Sequence, residues 1–537
     1  MNEVDYLIVG AGSAGCVLAA RLAESGLDEV MVLEAGGWDS SPWLKVPIGY
    51  GKSFYNPKVN WMYETEPDPN LSNTPAFWPR GKVIGGSSSI NAMVYMRGHP
   101  GDFDDWAALG NKGWSYDEVL PFFKKSEQHC FGPSHYHGGD GPLGVSDFQD
   151  QVHPLCQNFL EACSQSGIPP TDDFNGAQME GAGLWQMNIW NGLRSSTSTA
   201  FLKPALNRVN LHVQTEALVT KIIFEGKVAR GVEYLKGGVR HIVKARREVI
   251  LSAGAINTPQ ILELSGIGDP QRLQNHNIPV VHANNRVGEG LQDHVAVCYF
   301  YRSKVPTLNQ TLGSWSGKIL AGIQYLLTRK GPLGMSVNQA GAFMRSRPEL
   351  TRPNLHLYFN PISYTIPKGP RPKIAQPDPF PAFLMSFNTC RPTSRGHIHI
   401  RSADPREAPA IQTNCLSTDE DIRDVYDGAR VMRMLANSDS LRSVIDHEYL
   451  PGPECLSDED VLADFRKRAA TVYHASCTAA MGVDPQASVV NPELKVHGVE
   501  RLRVVDASVF PSVTSGNTNA PTIMVAEKAA ELIMAEE

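Results

Sequence analysis

The hexapeptide Gly10-Ala-Gly12-Ser-Ala-Gly15 closes a short apolar run, Tyr6-Leu-Ile-Val9, almost at the start of the chain. A helical pattern follows, then a second apolar run, Val30-Met-Val-Leu33, ending in Glu34 and Ala35. This is the spacing of a βαβ unit with a dinucleotide-binding turn. Gly10 makes the tight turn, Gly12 lets the backbone approach a pyrophosphate, and Gly15 lets the helix pack on the strand. Ser13 and Ala14 open that helix, whose N-terminus faces the phosphate charge. Glu34 stands about 20 residues on, where a carboxylate bonds ribose hydroxyls and repels a 2′-phosphate. NADP is therefore disfavoured, while NAD and FAD both stay open.

The 537 residues exceed what one simple core organises, so two or more domains are expected. With a net charge of −7 and no block of five like charges, nucleic acid is not an expected partner. Nine scattered cysteines, odd in number and without CxxC, read as a reduced, cytoplasmic chain. With the first strand read from Asp5, no signal peptide is expected. No apolar stretch reaches the length of a membrane span. Trp315, Ile319, Leu320, Ile323, Leu326 and Leu327 recur at helical spacing. They read first as a helix packed on a core. The alternative is a helix at the substrate mouth or in peripheral contact with the inner face of the membrane.

Residues 36–110 are rich in Gly, Pro, Ser and Asn, and loops of that length in a compact domain carry function. Strands are predicted at Val209–Val213, Val219–Phe224, Gly231–Tyr234 and Arg247–Gly254, with a helix from Thr258 to Leu264. Further on, Leu355–Asn360, Phe383–Phe387 and Gly396–Arg401 alternate as antiparallel strands do, joined by Pro-rich connectors such as Pro367–Pro381. Helices over Ser417–Asn437 and Ser457–Arg468 open on capping-box patterns. The chain ends in a strand at Leu502–Val505 and an amphipathic helix from Ala520.

A second glycine cluster, Gly81-Lys-Val-Ile-Gly85-Gly86-Ser87-Ser-Ser-Ile-Asn91, resembles the first signature of the GMC (glucose–methanol–choline) oxidoreductases. Gly254-Ala-Ile-Asn-Thr-Pro-Gln-Ile-Leu-Glu-Leu-Ser-Gly-Ile-Gly268 resembles the second. Val287–His294, Tyr473-His474 with Met481-Gly482, and Val505–Ser508 with Gly516–Thr522 extend the resemblance over nearly the whole chain. Its flavour is that of bacterial choline-dehydrogenase-like and aliphatic-alcohol dehydrogenases and of hydroxymethylfurfural oxidase. It implies an α/β protein, α+β overall, in which a Rossmann-like FAD-binding domain (1–155, 195–295 and 469–537) is interleaved with a substrate domain (156–194 and 296–468) built on an antiparallel sheet with helices. It implies FAD rather than NAD. Gly10, Gly12, Ser13, Ala14, Gly15, Glu34 and Ala35 would hold the ADP half. Gly85, Gly86, Ser87, Asn91, Ala92 and Val94 would lie along the flavin and its pyrophosphate. Val219 would meet adenine, and Ala253, Gly254, Asp506, Ala507, Asn517 and Thr518 complete the expected set. Relatives that attach flavin covalently use a His where this chain has Ile90, so FAD is expected to bind noncovalently. His99 falls past the motif.

Alcohol oxidation removes a hydroxyl proton and a carbon-bound hydride, and a neutral imidazole is the natural proton acceptor. Of 16 histidines, His474 matches the family's catalytic one, with Asn517 rather than Asn519 as its partner. The asparagine amide can donate to the developing alkoxide. Gln339 stands where choline-handling relatives place an acid, so a neutral primary alcohol, aliphatic or aryl, is favoured over choline. Trp61, Tyr358, Phe359 and Tyr473 are candidate pocket walls. His129, Cys130, His135 and His137 sit in a glycine-rich loop that the family keeps without metal, and no metal is expected. Arg194–Ala200, rich in hydroxyls, reads as a helix entry near the flavin. The absence of a GxSxG elbow disfavours a hydrolase. An NAD-dependent dehydrogenase, and a flavin-fold lyase without net redox, are the rival readings. The electron acceptor, O2 or a quinone or other carrier, has no sequence signature.

Overall fold

The computed structural model describes residues 3–365 and 374–536. Glu3–Val9 pairs in parallel with Val30–Leu33 on one side and Val239–Leu251 on the other. Leu211–Gln214 and Leu502–Val504 add further parallel strands, and Val228–Lys236 and Leu218–Glu225 continue the sheet antiparallel. Seven strands result. Leu7, Ile8, Val30, Val32 and Leu33 have no exposed surface, the uninterrupted burial of strands covered on both faces. Helix Ser13–Leu22 starts at the glycine turn. A Cβ on Gly15 would stand 1.9 Å from the Gly10 carbonyl oxygen, so only glycine lets helix and strand meet. The same helix packs on the C-terminal helix Asn519–Met534, where Arg21 makes two 2.8 Å bonds to the fully buried Glu527.

A second seven-stranded sheet runs Ile445–Leu450, Val295–Ser303, Ala382–Thr389, Leu355–Asn360, Ala340–Met344, Gly181–Leu184, all antiparallel, with Ala470–Thr471 also on Val295–Ser303. The alternation expected of Leu355–Asn360 and Phe383–Phe387 does not translate into one wet face, because every residue of both strands is buried. Helices Leu155–Gln165 and Asp419–Ala436 pack on the sheet. Tyr358 and Phe343 instead pack with Met93, Val94 and Met96.

Several boundaries move for identifiable reasons. The helix expected from Thr258 begins at Gly254, whose N–H is held by Asp506. Thr418, not Ser417, caps Asp419–Ala436, accepting from the Asp421 N–H. The capping box at Ser457 forms with Asp460. Residues 367–373 of the Pro-rich connector lie outside the described residues. The expected packing of the helix after Ser314 is overturned. In Trp315–Thr328 only Ala321 and Tyr325 are buried, and the apolar stripe faces outward. Among the described residues no helix is long and apolar enough to cross a membrane.

Candidate active site

A cavity of about 1390 Å³ begins at the glycine turn and reaches His474 and Asn517. At its nucleotide end it is lined by Gly10, Gly12, Ser13, Ala14, Glu34 and Ala35. Glu34 is buried. Its Oε2 accepts from the Ala11 N–H at 2.9 Å and its Oε1 from the Gly36 N–H at 2.8 Å, which aims the carboxylate and leaves lone pairs for ribose hydroxyls. Burial raises its pKa to about 7 against the pull of those two donors. Val219, Ala253, Gly254, Asp506, Ala507 and Thr518 also line the cavity. Asp506 spends its oxygens inside the protein: Oδ2 accepts from the Gly254 N–H (2.8 Å) and the Thr258 hydroxyl (2.6 Å), and Oδ1 from the Ser508 N–H (2.8 Å). It therefore fixes the helix entry at Gly254.

The second glycine cluster closes over the first. Gly86 has φ +51°, and a Cβ there would stand 2.6 Å from the Gly12 Cα. Ser87, Asn91, Ala92 and Val94 continue the lining. Gly85 and Gly15, expected to touch the cofactor, stand behind this wall. The Gly85 N–H donates to the Ala11 carbonyl at 2.7 Å and ties the two loops together, while Gly15 is wedged between helix and strand. Thr197 locks both loops, with its Oγ1 2.9 Å from the Ser88 Oγ and 3.4 Å from the Gly12 carbonyl. Arg194 holds Asn91 through a 2.7 Å bond to Oδ1. The cavity's volume, the glycine cradle and the placed carboxylate fit a flavin adenine dinucleotide. Ile90 lines the cavity, whereas His99 caps helix Pro100–Ala108 elsewhere, and among the described lining residues the sole histidine is His474.

At the reactive end a chain of hydrogen bonds sets the state of His474. The His294 Nε2 lies 2.9 Å from the Cys390 carbonyl, which can only accept, so Nε2 carries the proton. The His294 Nδ1 is then bare. It lies 2.8 Å from the His474 Nδ1, which must donate. The lone pair of His474 is thereby left at Nε2, 3.1 Å from the Asn517 Nδ2. The Tyr358 hydroxyl donates to the Asn517 Oδ1 at 3.1 Å and turns the amide N–H₂ toward the imidazole. Burial, then His294, His356 and Arg80 nearby, hold the His474 pKa well below its usual value. Burial lowers His294 to about 4. Both rings are neutral near pH 7.

The backbone around His474 is constrained too. Tyr473 sits at φ +72°, a left-handed conformation costly for an aromatic residue. Asp293 holds it there: Oδ1 accepts from the His474 N–H at 2.6 Å and Oδ2 from the Thr471 hydroxyl. Arg80 donates to the Tyr473 carbonyl at 2.7 Å. Asn519 turns the other way and accepts from the Ser13 hydroxyl at 2.8 Å, which puts it on the nucleotide turn rather than beside His474.

Trp61, Tyr358 and Tyr473 line the cavity, but Phe359 lies in the core between Phe159 and Phe383. Gln339 is also displaced from its expected place. It is 2% exposed and outside the lining, its Oε1 accepting from the His153 N–H at 2.8 Å and its Nε2 reaching Met335. The strand that begins at Ala340 sends that side chain toward the start of helix Leu155–Gln165, and Asn338 lines the cavity instead. In the histidine-rich loop, Glu127, His129 and His137 converge, yet the Glu127 Oε2 bonds Arg97 and the Gly138 N–H at 2.8 Å each, and the His137 Nε2 faces Asp173 at 2.8 Å. Cys130 is not part of the cluster, nor is His135. Glu289, His397 and His399 converge likewise, with His399 held between Glu263 and Glu289 at 2.9 Å each. These are ion-pair networks with their own charges paired.

A dinucleotide cradle joined to a buried neutral imidazole is the site of a flavin-dependent oxidoreductase. Family models described as GMC oxidoreductase match residues 4–296 (N-terminal) and 392–526 (C-terminal), and the chain belongs to this family. It is 43% identical to the mitochondrial choline dehydrogenase of Mus musculus, over 99% of this chain and 89% of the relative. It is also 43% identical to an alcohol dehydrogenase [acceptor] of Pseudomonas putida, over 99% and 95%. A variant formate oxidase of Aspergillus oryzae, made to study FAD modification, superposes with a TM-score of 0.92 at 28% identity, covering 100% of this chain and 99% of the other. The protein is an oxidoreductase acting on CH–OH groups, and FAD is its cofactor.

By sequence, His294, Asp293 and Arg80 have no individual role, and Thr197 has only a place in the hydroxyl-rich helix entry near the flavin. The segment ending Gln292-Asp293-His294 was visible as a family pattern. Nothing local says that His294 meets a ring 180 residues away.

Proposed function

We propose that the chain oxidises a neutral primary alcohol, aliphatic or aryl, to the aldehyde, with His474 as general base, Asn517 as its partner and FAD held noncovalently. Bound FAD supplies the acceptor for the carbinol hydride. The protein's part is the proton. The unprotonated Nε2 of His474, which accepts from the Asn517 Nδ2 at 3.1 Å, exchanges that bond for the substrate hydroxyl and takes its proton, and the freed Asn517 amide donates to the oxygen as negative charge develops. The single observation that carries this reading is the chain Cys390–His294–His474, which leaves the base lone pair at the Nε2 that meets Asn517 in the cavity wall.

A neutral substrate is supported by charge. The carboxylates lining the cavity among the described residues are Glu34, Asp378 and Asp506. Glu34 and Asp506 serve the nucleotide end. Asp378 is engaged by Ser363, Thr365 and Tyr449 at 2.7–2.9 Å. Arg80, a permanent cation, stands near His474 instead. The second reading, a cationic alcohol such as choline, is favoured by the mouse relative's name and by the aromatic walls Trp61, Tyr358 and Tyr473. The acceptor is O2 or a quinone-type carrier, and the chain works in the cytoplasm, peripheral to the inner membrane face. Its scattered, odd-numbered cysteines support a reducing compartment. Anaerobic titration of the purified holoprotein tests substrate class. Bleaching of the flavin spectrum by 1-octanol or benzyl alcohol at concentrations where choline leaves it oxidised supports the proposal, and the reverse order replaces it with the second reading.

A further inference from the structure

We propose that helix Trp315–Thr328 docks on an anionic lipid surface and seats the cavity mouth against it, so that a lipophilic alcohol enters from the bilayer. The docking surface stands on its own observations. The substrate half rests on the alcohol-oxidation reading above.

Six large apolar side chains share the outer face: Trp315 (83% exposed), Ile319 (57%), Leu320 (67%), Ile323 (50%), Leu326 (72%) and Leu327 (80%). Such a contiguous patch is costly in water unless something covers it. The helix is not fraying. The Ser314 Oγ caps it by accepting from the Gly317 N–H at 3.1 Å, the Tyr325 hydroxyl ties its inner face to the Gly192 carbonyl at 2.8 Å, and Arg329 closes it in a left-handed turn. Fourteen residues span about 21 Å of helix, too short to cross a bilayer and suited to lying in its interface.

Charge selects the occupant. No acid lies on the helix or at the Arg329 that closes it, whereas the later Lys330, Arg345 and Arg347 are ion-paired with Asp150, with Glu180 and with Glu420, Asp424 and Asp427. Lys318 is on the helix itself. Lys52 stands near it, its ammonium 3.3 Å over the ring of the half-exposed Trp43. Basic residues beside Trp at the edge of an apolar stripe match anionic headgroups above acyl chains. A second copy facing this surface would set Lys318 and Arg329 against their own equivalents, which is unfavourable for an isologous dimer. Position links the surface to the chemistry, because Lys318, Leu312, Leu333, Trp43 and Lys52 also line the cavity mouth.

The test uses holoprotein and vesicles of phosphatidylcholine with or without phosphatidylglycerol. Wild type is expected to co-sediment with the anionic vesicles, less with the neutral ones, and to be released by salt. The double variant Leu320→Asp, Leu327→Asp should bind anionic vesicles at least about tenfold more weakly, with flavin content and turnover of a short water-soluble alcohol unchanged. The milder Leu320→Ser, Leu327→Ser pair should fall between. Equal sedimentation of wild type and both variants, or none by wild type, overturns the proposal. So does light scattering that shows a wild-type dimer turned to monomer by the same substitutions. Sedimentation is read without turnover, so failure of docking is distinguished from failure of the alcohol reading.

Discussion

The base role proposed for His474 rests on a proton held elsewhere. Because the Cys390 carbonyl fixes the proton of His294, it also fixes that of His474, and the base needs no ionisation to be ready. Flavin reduction should therefore be flat with pH at and above 6.5, the ordinary imidazole value, and fall only in acid, since the His474 pKa is depressed. A rate that titrates at or above that value would contradict a buried neutral base. His294→Ala unpairs the His474 Nδ1–H and should slow reduction by roughly tenfold or more, as loss of about 1–3 kcal/mol implies, with FAD retained. At Gln339 the structure reverses the inference that its position invites. Gln339→Glu would bury a carboxylate beside Cys156 and Met335 rather than charge the cavity. It should lower thermal stability by about 1–3 kcal/mol or more and leave the ratio of cationic to neutral alcohol turnover unchanged. An increase in that ratio would put Gln339 back at the substrate. At this scale the sequence was partly legible. The family pattern points to Asn517 as the partner of His474, and the bond from Ser13 explains why Asn519 is turned away. His294 and Arg80 were not legible, because their roles exist only in contacts made across the whole fold.

Among the elements, the βαβ start was legible because its signals are local: two apolar runs, three glycines and a carboxylate at fixed spacing. The strands Gly181–Leu184 and Ala340–Met344 were not. They are short and built on Gly and Ala, and the small residues serve close packing. A Cβ on Gly341 would stand 2.0 Å from the Trp185 indole. The helix Trp315–Thr328 was found in the right place and given the wrong environment, since periodicity reports one apolar face without saying what covers it. Between the two glycine loops the account makes a sharp demand. Gly86→Ala adds a methyl 2.6 Å from the Gly12 Cα at a positive φ, so backbone must move in the cradle itself. The variant should purify largely as apoprotein, with flavin affinity lowered by at least about tenfold for a strain of roughly 1–3 kcal/mol. Absorbance of flavin per protein after gel filtration reads this directly, and full occupancy at wild-type affinity would show that the loops do not meet in the holoprotein.

The molecule as a whole buries three histidines, His294, His356 and His474, in their neutral form. His294, with a pKa of about 4, and His474 and His356, both held well below 6.5, take up protons more readily unfolded than folded. Stability is therefore full above pH 6.5 and is lost as pH falls from there toward 4. Thermal unfolding should show this acid loss, weakened in His356→Phe if packing is kept. The central claim is that His474, not a neighbour, takes the substrate proton. It is tested most directly by anaerobic stopped-flow reduction of the bound flavin by a saturating primary alcohol, in wild type and in His474→Ala, Asn517→Ala and Asn519→Ala proteins of equal flavin content. The account expects His474→Ala to be about 10²–10⁴-fold slower and Asn517→Ala about 10–100-fold slower. Asn519→Ala should lie near wild type in rate, its effect confined to flavin affinity. A His474→Ala rate within about twofold of wild type, or a larger loss at Asn519 than at Asn517, would contradict it.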